Sequence, residues 1–250
     1  MEDNIAIKIN SVDVSLSKTP ILFDIDLNIR KGSIYGLLGP SGAGKTTTIK
    51  VVAGIIEAEK GNADILGTHM PSLAGMSKIG YMAQSDALYE DLTGAENLEF
   101  FGELYGMKKK DLKDRIDYVL ALVKLTDDAK KVVSKYSGGM KRRLALAAAI
   151  LHNPKVLILD EPTVGIDPLL RKELWDELYK LSDEGTTILV TTHVMDEAEK
   201  CHELAMMRNG RVIGEGTPDS LIEECGVENL EEVFLKLSIE QNEGGDTDEN

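Results

Sequence analysis

GPSGAGKT, Gly39 to Thr46, is the stretch on which the reading of this chain turns. It follows the apolar run IYGLLG at 34–39, which reads as a buried strand. It opens a helical pattern from about Lys45 to Ala53 that ends near Gly54. A strand, then G-x-x-x-x-G-K-[ST], then a helix is the arrangement of a phosphate cradle. Glycine lets the backbone curl until several N–H groups converge on phosphate oxygens, and the helix start adds about half a positive charge. Gly39, Pro40, Ser41, Gly42, Ala43, Gly44, Lys45, Thr46 and Thr47 are therefore candidate contacts to a nucleoside triphosphate. Lys45 is placed to reach the β- and γ-phosphates, and the Thr46 hydroxyl to ligate Mg²⁺.

Outward from this loop, apolar runs alternate with helical stretches, which predicts an α/β sheet protein. Residues 5–10, 25–30 and 79–83 read as strands, as do KVLILD (155–160), TTILVTT (186–192) and LAMMRNG (204–210). Asn209-Gly210 before RVIGEG predicts a closing hairpin. Between about Leu92 and Leu151 strand signal is weak and three helices are expected. One opens around Glu96, one spans Asp114 to Lys124, and one spans Gly139 to Leu151, stopped by Asn153-Pro154. Leu230, Val233, Phe234 and Leu237 fall at i, i+3, i+4, i+7 and predict a last amphipathic helix.

In KVLILDEP two acids, Asp160 and Glu161, follow an apolar run directly. Open parallel sheets bind ligands beyond the carboxyl ends of their strands. There Asp160 could hold the Mg²⁺ shell and Glu161 could orient an attacking water and take its proton. On its own the pair reads equally well as surface acids stabilised at a helix start; Lys45 favours the first reading. Ser137-Gly138-Gly139 precedes a helix, so its hydroxyl and free N–H groups form a second anion site, or a simple helix cap. One phosphate loop and a separate anion site in one chain suggest two copies, each closing the other's nucleotide.

Composition sets the bounds. The chain has 250 residues, 42% hydrophobic and 28% charged, which excludes a largely disordered polymer. The longest apolar run, LALAAAIL at 144–151, falls well short of the roughly 20 residues of a membrane span. MEDNIAIKIN has neither the basic start nor the apolar stretch of a secretory signal. Cys201 and Cys225 give no disulfide framework or metal spacing, so both read as packing residues in a reducing cytosol. The net charge of −15 is concentrated in residues 223–250, where Lys236 is the one base. A basic stripe is missing, so no nucleic-acid partner is expected. Lys108 to Lys110 and Lys141 to Arg143 are short basic clusters read as solvated helix faces.

Taken together, GPSGAGKTT, Gln84 after a strand, SGG at 137–139, LILDEPT, GIDP at 165–168 and TTH at 191–193 resemble an ABC-type ATPase in order and spacing. The resemblance covers about residues 5–237. YMAQSDALYEDLTGAENLEF, KYSGGMKRRL and NLEEVFLKLS look most like the stand-alone ATPase subunits of bacterial exporters with ABC-2-type permeases. It implies a P-loop NTPase with a RecA-like parallel-sheet core (about 1–88 and 155–217), an N-terminal antiparallel β subdomain and an inserted α-helical subdomain (about 89–154). A C-terminal helix at about 228–237 and a disordered acidic tail at 238–250 would follow. It implies further that Gln84 joins the Mg²⁺ and water shell and senses the permease. His193 would contact the γ-phosphate and hold Glu161, Asp167 would cross a dimer interface, and Ser137, Gly138 and Gly139 would act on ATP held by the other subunit. ATP and Mg²⁺ are the implied ligands. The implied partners are a permease on a separate chain and a second ATPase, identical or paralogous, at the cytoplasmic face of the membrane. A soluble ABC ATPase acting on ribosomes or DNA, or a non-hydrolysing nucleotide-gated module, is the alternative. Two departures stand out: Tyr136 and Met140 flank SGG where the family has Leu and Gln, and no aromatic lies at 10–22, where a base-stacking ring is usual.

Overall fold

A computed structural model describes residues 4–85 and 87–245. Strands β1 (Ile5–Leu16) and β2 (Thr19–Arg30) pair antiparallel, turning at Ser17-Lys18, both with left-handed backbone. Both run beyond the expected 5–10 and 25–30, because their pairing continues through register shifts that break the strict alternation. Strand β3 (Ile34–Leu38) is buried along its whole length and leads through the glycine loop into α1 (Lys45–Val52). Strands β4 (Lys60–Ile65) and β5 (Thr68–Met70) complete a four-stranded antiparallel sheet ordered β2-β1-β4-β5. Sequence reasoning misses both, since KGNADI offers only Ala63 and Ile65 as buried apolar positions. A short α2 (Leu73–Met76) leads to β6 (Ile79–Met82).

Three helices then pack together: α3 (Gly94–Leu104), α4 (Lys109–Leu122) and α5 (Gly138–Ile150). Helix α3 starts on a capping box, with the Glu96 N–H donating to Thr93 Oγ1 at 3.2 Å and the Thr93 N–H to Glu96 Oε2 at 2.8 Å. Helix α4 starts earlier than Asp114, because Leu112 is already buried against α3 where Gly102 leaves room for it. Leu98, Leu120, Val133 and Leu144 share one core with Leu157 and Leu159 of the central sheet.

After α5, His152 stacks on Tyr105, the ring centroids 3.6 Å apart, and its Nε2 lies 3.2 Å from the Ile79 carbonyl. Its Nδ1 is buried with no hydrogen-bond partner among the described residues, so protonating it would strand a buried N–H. Burial accordingly holds the His152 pKa down at about 4, below its ordinary 6.5. The neutral ring is favoured in the fold, so this contribution is complete above the unfolded-state value and is lost as pH falls from 6.5 towards 4. His152→Phe keeps the stacked ring and removes the titration. Across that window the wild type is expected to lose about 1–3 kcal/mol more stability than the variant in urea melts. Parallel pH profiles would show the ring is not the acid-sensitive group.

Strand β7 (Val156–Asp160), helix α6 (Pro168–Asp183), strand β8 (Thr187–Thr192), short α7 (Met195–Ala198) and strands β9 (Glu203–Arg208) and β10 (Arg211–Gly216) return to the core. The six-stranded sheet is ordered β10-β9-β3-β8-β7-β6, parallel except for the edge hairpin β9–β10. Its register aligns three strand ends: Leu38 pairs with Thr192, and Asp160 with Thr191. The phosphate loop, the two acids and the His193 turn therefore emerge side by side.

Helix α8 (Pro218–Cys225) packs with α9 (Leu230–Gly245) against the β9–β10 edge. The helix expected at 228–237, with a disordered tail from 238, is corrected here: α9 runs on to Gly245, and 246–250 lie outside the described residues. The cause is Arg208, whose guanidinium donates to the Ser238 carbonyl while Gln241 Nε2 donates back to the Arg208 carbonyl at 3.4 Å. Among the described residues no helix is long and apolar enough to cross a membrane.

Candidate functional site

The loop after β3 holds its curl through left-handed backbone at Gly42 (φ 82) and Gly44 (φ 105), conformations that disfavour any side chain. Gly44 ends the turn, and α1 begins at Lys45 with its first N–H groups facing the hollow of the loop. Lys45 is only 5% exposed, and Nζ donates to the Gly39 and Pro40 carbonyls at 2.7 and 3.0 Å. Burial pulls its pKa down, and the nearby Glu161 and Asp160 carboxylates push back. A cavity of about 330 Å³ opens over the loop, lined by Ser41 through Thr47 with Leu16, Ile21, Gln84 and Glu161.

Thr46 Oγ1 donates to both carboxylate oxygens of Asp160, at 3.3 and 3.1 Å. Asp160 is almost fully buried at the end of β7 and also accepts from Thr191 Oγ1 at 2.6 Å. Hydroxyl and carboxylate oxygens facing a phosphate cradle suit Mg²⁺, a hard cation that takes few protein ligands and leaves the rest to phosphate and water. Glu161 follows in left-handed backbone (φ 50), its N–H donating to Thr191 Oγ1 at 3.0 Å. Its Oε1 lies 3.1 Å from His193 Nδ1. Lys45, Thr46, Asp160, Glu161, His193 and Gln84 thus gather at one mouth.

The remaining candidates lie elsewhere. Ser137 caps α5, its Oγ accepting from the Met140 N–H at 3.3 Å, and Ser137 and Gly138 are exposed. Asp167 is exposed and caps α6 through the Leu170 N–H at 3.1 Å. The two departures beside SGG have packing explanations. Tyr136 is buried with its hydroxyl donating to the Asp128 carbonyl at 2.8 Å, and Met140 lies against the helical core. Where a stacking ring is missing, Leu16 and Ile21 line the cavity instead.

The supporting roles of three residues escape sequence reasoning, even that of Thr191 inside the TTH motif. Thr191 holds both Asp160 and the Glu161 backbone. Buried Glu197 accepts from Thr163 Oγ1 and from Thr192 Oγ1, the latter at 2.8 Å, so it fastens the turn after Glu161 to the turn before His193. Arg142, expected on a solvated basic face, is only 6% exposed and points inward. Neighbouring Arg143 donates to the Val123 and Lys124 carbonyls, so that cluster is largely internal bracing. Sequence spacing gives no sign of this, because the partners are backbone carbonyls distant along the chain.

The family model described as ABC transporter matches residues 22–164, more than half the chain. The chain belongs to the ABC transporter family. Among its ABC relatives, the Nod factor export ATP-binding protein I of Paraburkholderia xenovorans is 40% identical over 230 residues, covering 90% of this chain and 76% of that protein. The probable multidrug ABC transporter ATP-binding protein YbhF of Escherichia coli is 37% identical over 220 residues, covering 85% of this chain. This chain spans only 38% of the length of YbhF. A solved dimer of the ATP-binding cassette MJ0796, in a post-hydrolysis state bound to ADP and Pi, superposes with a TM-score of 0.78 at 25% identity. That match covers 84% of this chain and 98% of the cassette.

Proposed function

We propose that this chain is the ATP-hydrolysing subunit of an ABC exporter, working as an ATP-bridged dimer on a permease carried by a separate chain. The observation that carries the reading is the convergence of the Lys45 loop with Asp160, Glu161 and His193 at a single mouth. Lys45 would exchange its loop carbonyls for β- and γ-phosphate oxygens, since a charged acceptor makes the stronger bond. Thr46, Asp160 and Gln84 would hold Mg²⁺, which supplies charge neutralisation across those phosphates. Glu161 would accept the proton of the attacking water, and His193 would fix the carboxylate and face the γ-phosphate. Ser137 and Gly138, exposed at the start of α5, and half-buried Gly139 would close the nucleotide bound to a second copy, with Asp167 at the seam. The dimeric cassette with ADP and Pi supports that arrangement. The second copy is either identical or a paralogue.

Export is supported by the Nod factor relative, and the partner by an apolar groove lined by Tyr81, Met82, Leu88, Phe101, Tyr105 and Ala149, which begins next to Gln84. Leu104 stands 70% exposed nearby, a hydrophobe suited to cover by a permease segment at the cytoplasmic face of the membrane.

Complementation tests the shared site directly. Lys45→Ala spoils one half of each site and Ser137→Glu the other, so neither variant alone should turn over ATP. In an equal mixture, half the dimers carry one intact site of two, and these should hold ATP in a mixed dimer that neither variant forms alone. A mixture that forms no more nucleotide-bound dimer than its components would refute the bridged arrangement.

A further inference from the structure

Arg142 sits in the second turn of α5, five residues after the Ser137 cap and on the order of 7 Å along the axis. Its guanidinium reaches out of the helical layer into the sheet core. Nη1 donates to the Ala83 carbonyl at 2.8 Å and the Gln84 carbonyl at 2.9 Å. Nη2 donates to the Asp160 carbonyl and, at 2.6 Å, to the Glu161 carbonyl. One rigid, planar fork therefore spans the backbones of both segments that carry mouth residues after β6 and β7.

The Glu161 backbone makes this more than bracing. A non-glycine residue in left-handed conformation persists only where its surroundings over-determine it. Here the Thr191 hydroxyl holds the N–H on one side and Arg142 holds the carbonyl on the other. The direction of the Glu161 carboxylate depends on both. Helix α5 is stiff over this distance, so a shift of its capped end is carried to the guanidinium one turn on.

We infer that Arg142 is a positioning residue: it converts engagement of the α5 N-terminus by the other subunit's nucleotide into the aim of Glu161 and the course of the Gln84 segment. The inference rests on the ATP-bridged reading above and adds the route by which occupancy of one site commands chemistry in the other. Arg142 itself touches no substrate. Removing it misdirects Glu161 by a fraction of an ångström to an ångström while leaving the phosphate loop intact.

The test is steady-state hydrolysis by the full chain with Mg²⁺ and ATP, together with titration by a fluorescent ATP analogue. The wild type is expected to respond sigmoidally to ATP, and R142M to lose about 10²-fold in kcat, the scale of a 1 Å misplacement, with nucleotide affinity unchanged and the sigmoid flattened. R142K keeps the charge, reaches fewer carbonyls and should fall between. R143M removes the bonds to Val123 and Lys124 and should lower the melting temperature while keeping kcat. The inference is overturned if R142M retains wild-type kcat and sigmoidicity, or if R143M loses kcat equally. Should R142M not fold, R142K decides, and wild-type kcat there overturns it too. A wild-type chain without any turnover refutes the functional reading itself, and this inference with it.

Discussion

Glu161→Gln should bind ATP as well as the wild type, hydrolyse it about 10³-fold more slowly and accumulate as a closed dimer. The amide keeps the size of the side chain and, across the 3.1 Å to His193, can still offer an oxygen. It cannot accept the proton of the attacking water. In the proposed dimer, hydrolysis would release the γ-phosphate contacts to the opposing Ser137–Gly139 cap, so a site that binds without cleaving would stay shut. ATP shifts the monomer–dimer balance only by its higher affinity for the closed form, and blocking cleavage makes that shift permanent. Light scattering on the variant with saturating Mg²⁺ and ATP reads the mass directly. A monomer under those conditions would leave the α5 cap without its assigned partner.

Lys45→Ala should weaken ATP binding by about 10- to 100-fold, the equivalent of roughly 1.5–3 kcal/mol for a hydrogen bond to a charged group. In the structure the ammonium is buried and satisfied by two loop carbonyls. Burial makes the charge costly, as its lowered pKa records, and the Glu161 and Asp160 carboxylates recover only part of that cost. A triphosphate arriving at the loop supplies the anionic oxygens that the charge lacks. Truncation also frees the Gly39 and Pro40 carbonyls, so a modest loss of thermal stability should accompany the loss of affinity. Calorimetric titration measures both constants. Equal affinity for wild type and variant would take Lys45 out of the phosphate site.

Much of this was legible along the chain, for reasons that differ by element. β3, β7 and β8 announce themselves because strands buried on both faces carry nearly continuous apolar runs. The glycine loop is legible because its backbone tolerates few residue types. β4 and β5 stay hidden because short, half-solvated strands share their composition with loops. The continuation of α9 past 237 is invisible locally, since the Arg208 contacts that hold it come from a distant strand. At the site, residues that face phosphate sit in compact motifs and can be read. Those that hold them cannot: Thr191, Glu197 and Arg142 act through partners about 20 to 60 positions away in several cases, and nothing in their spacing marks the pairing.

Leu16 and Ile21, at the rim of the nucleotide cavity, carry a consequence for fuel choice. Methyl and methylene groups attract a purine through contact area alone, without the directional quadrupole of an aromatic face or any hydrogen bond that tells an amino from a keto substituent. A purine resting on such an edge would meet little that separates adenine from guanine. In the proposed reading recognition would fall to the phosphate tail, and ATP and GTP should compete for the site on nearly equal terms in a displacement titration.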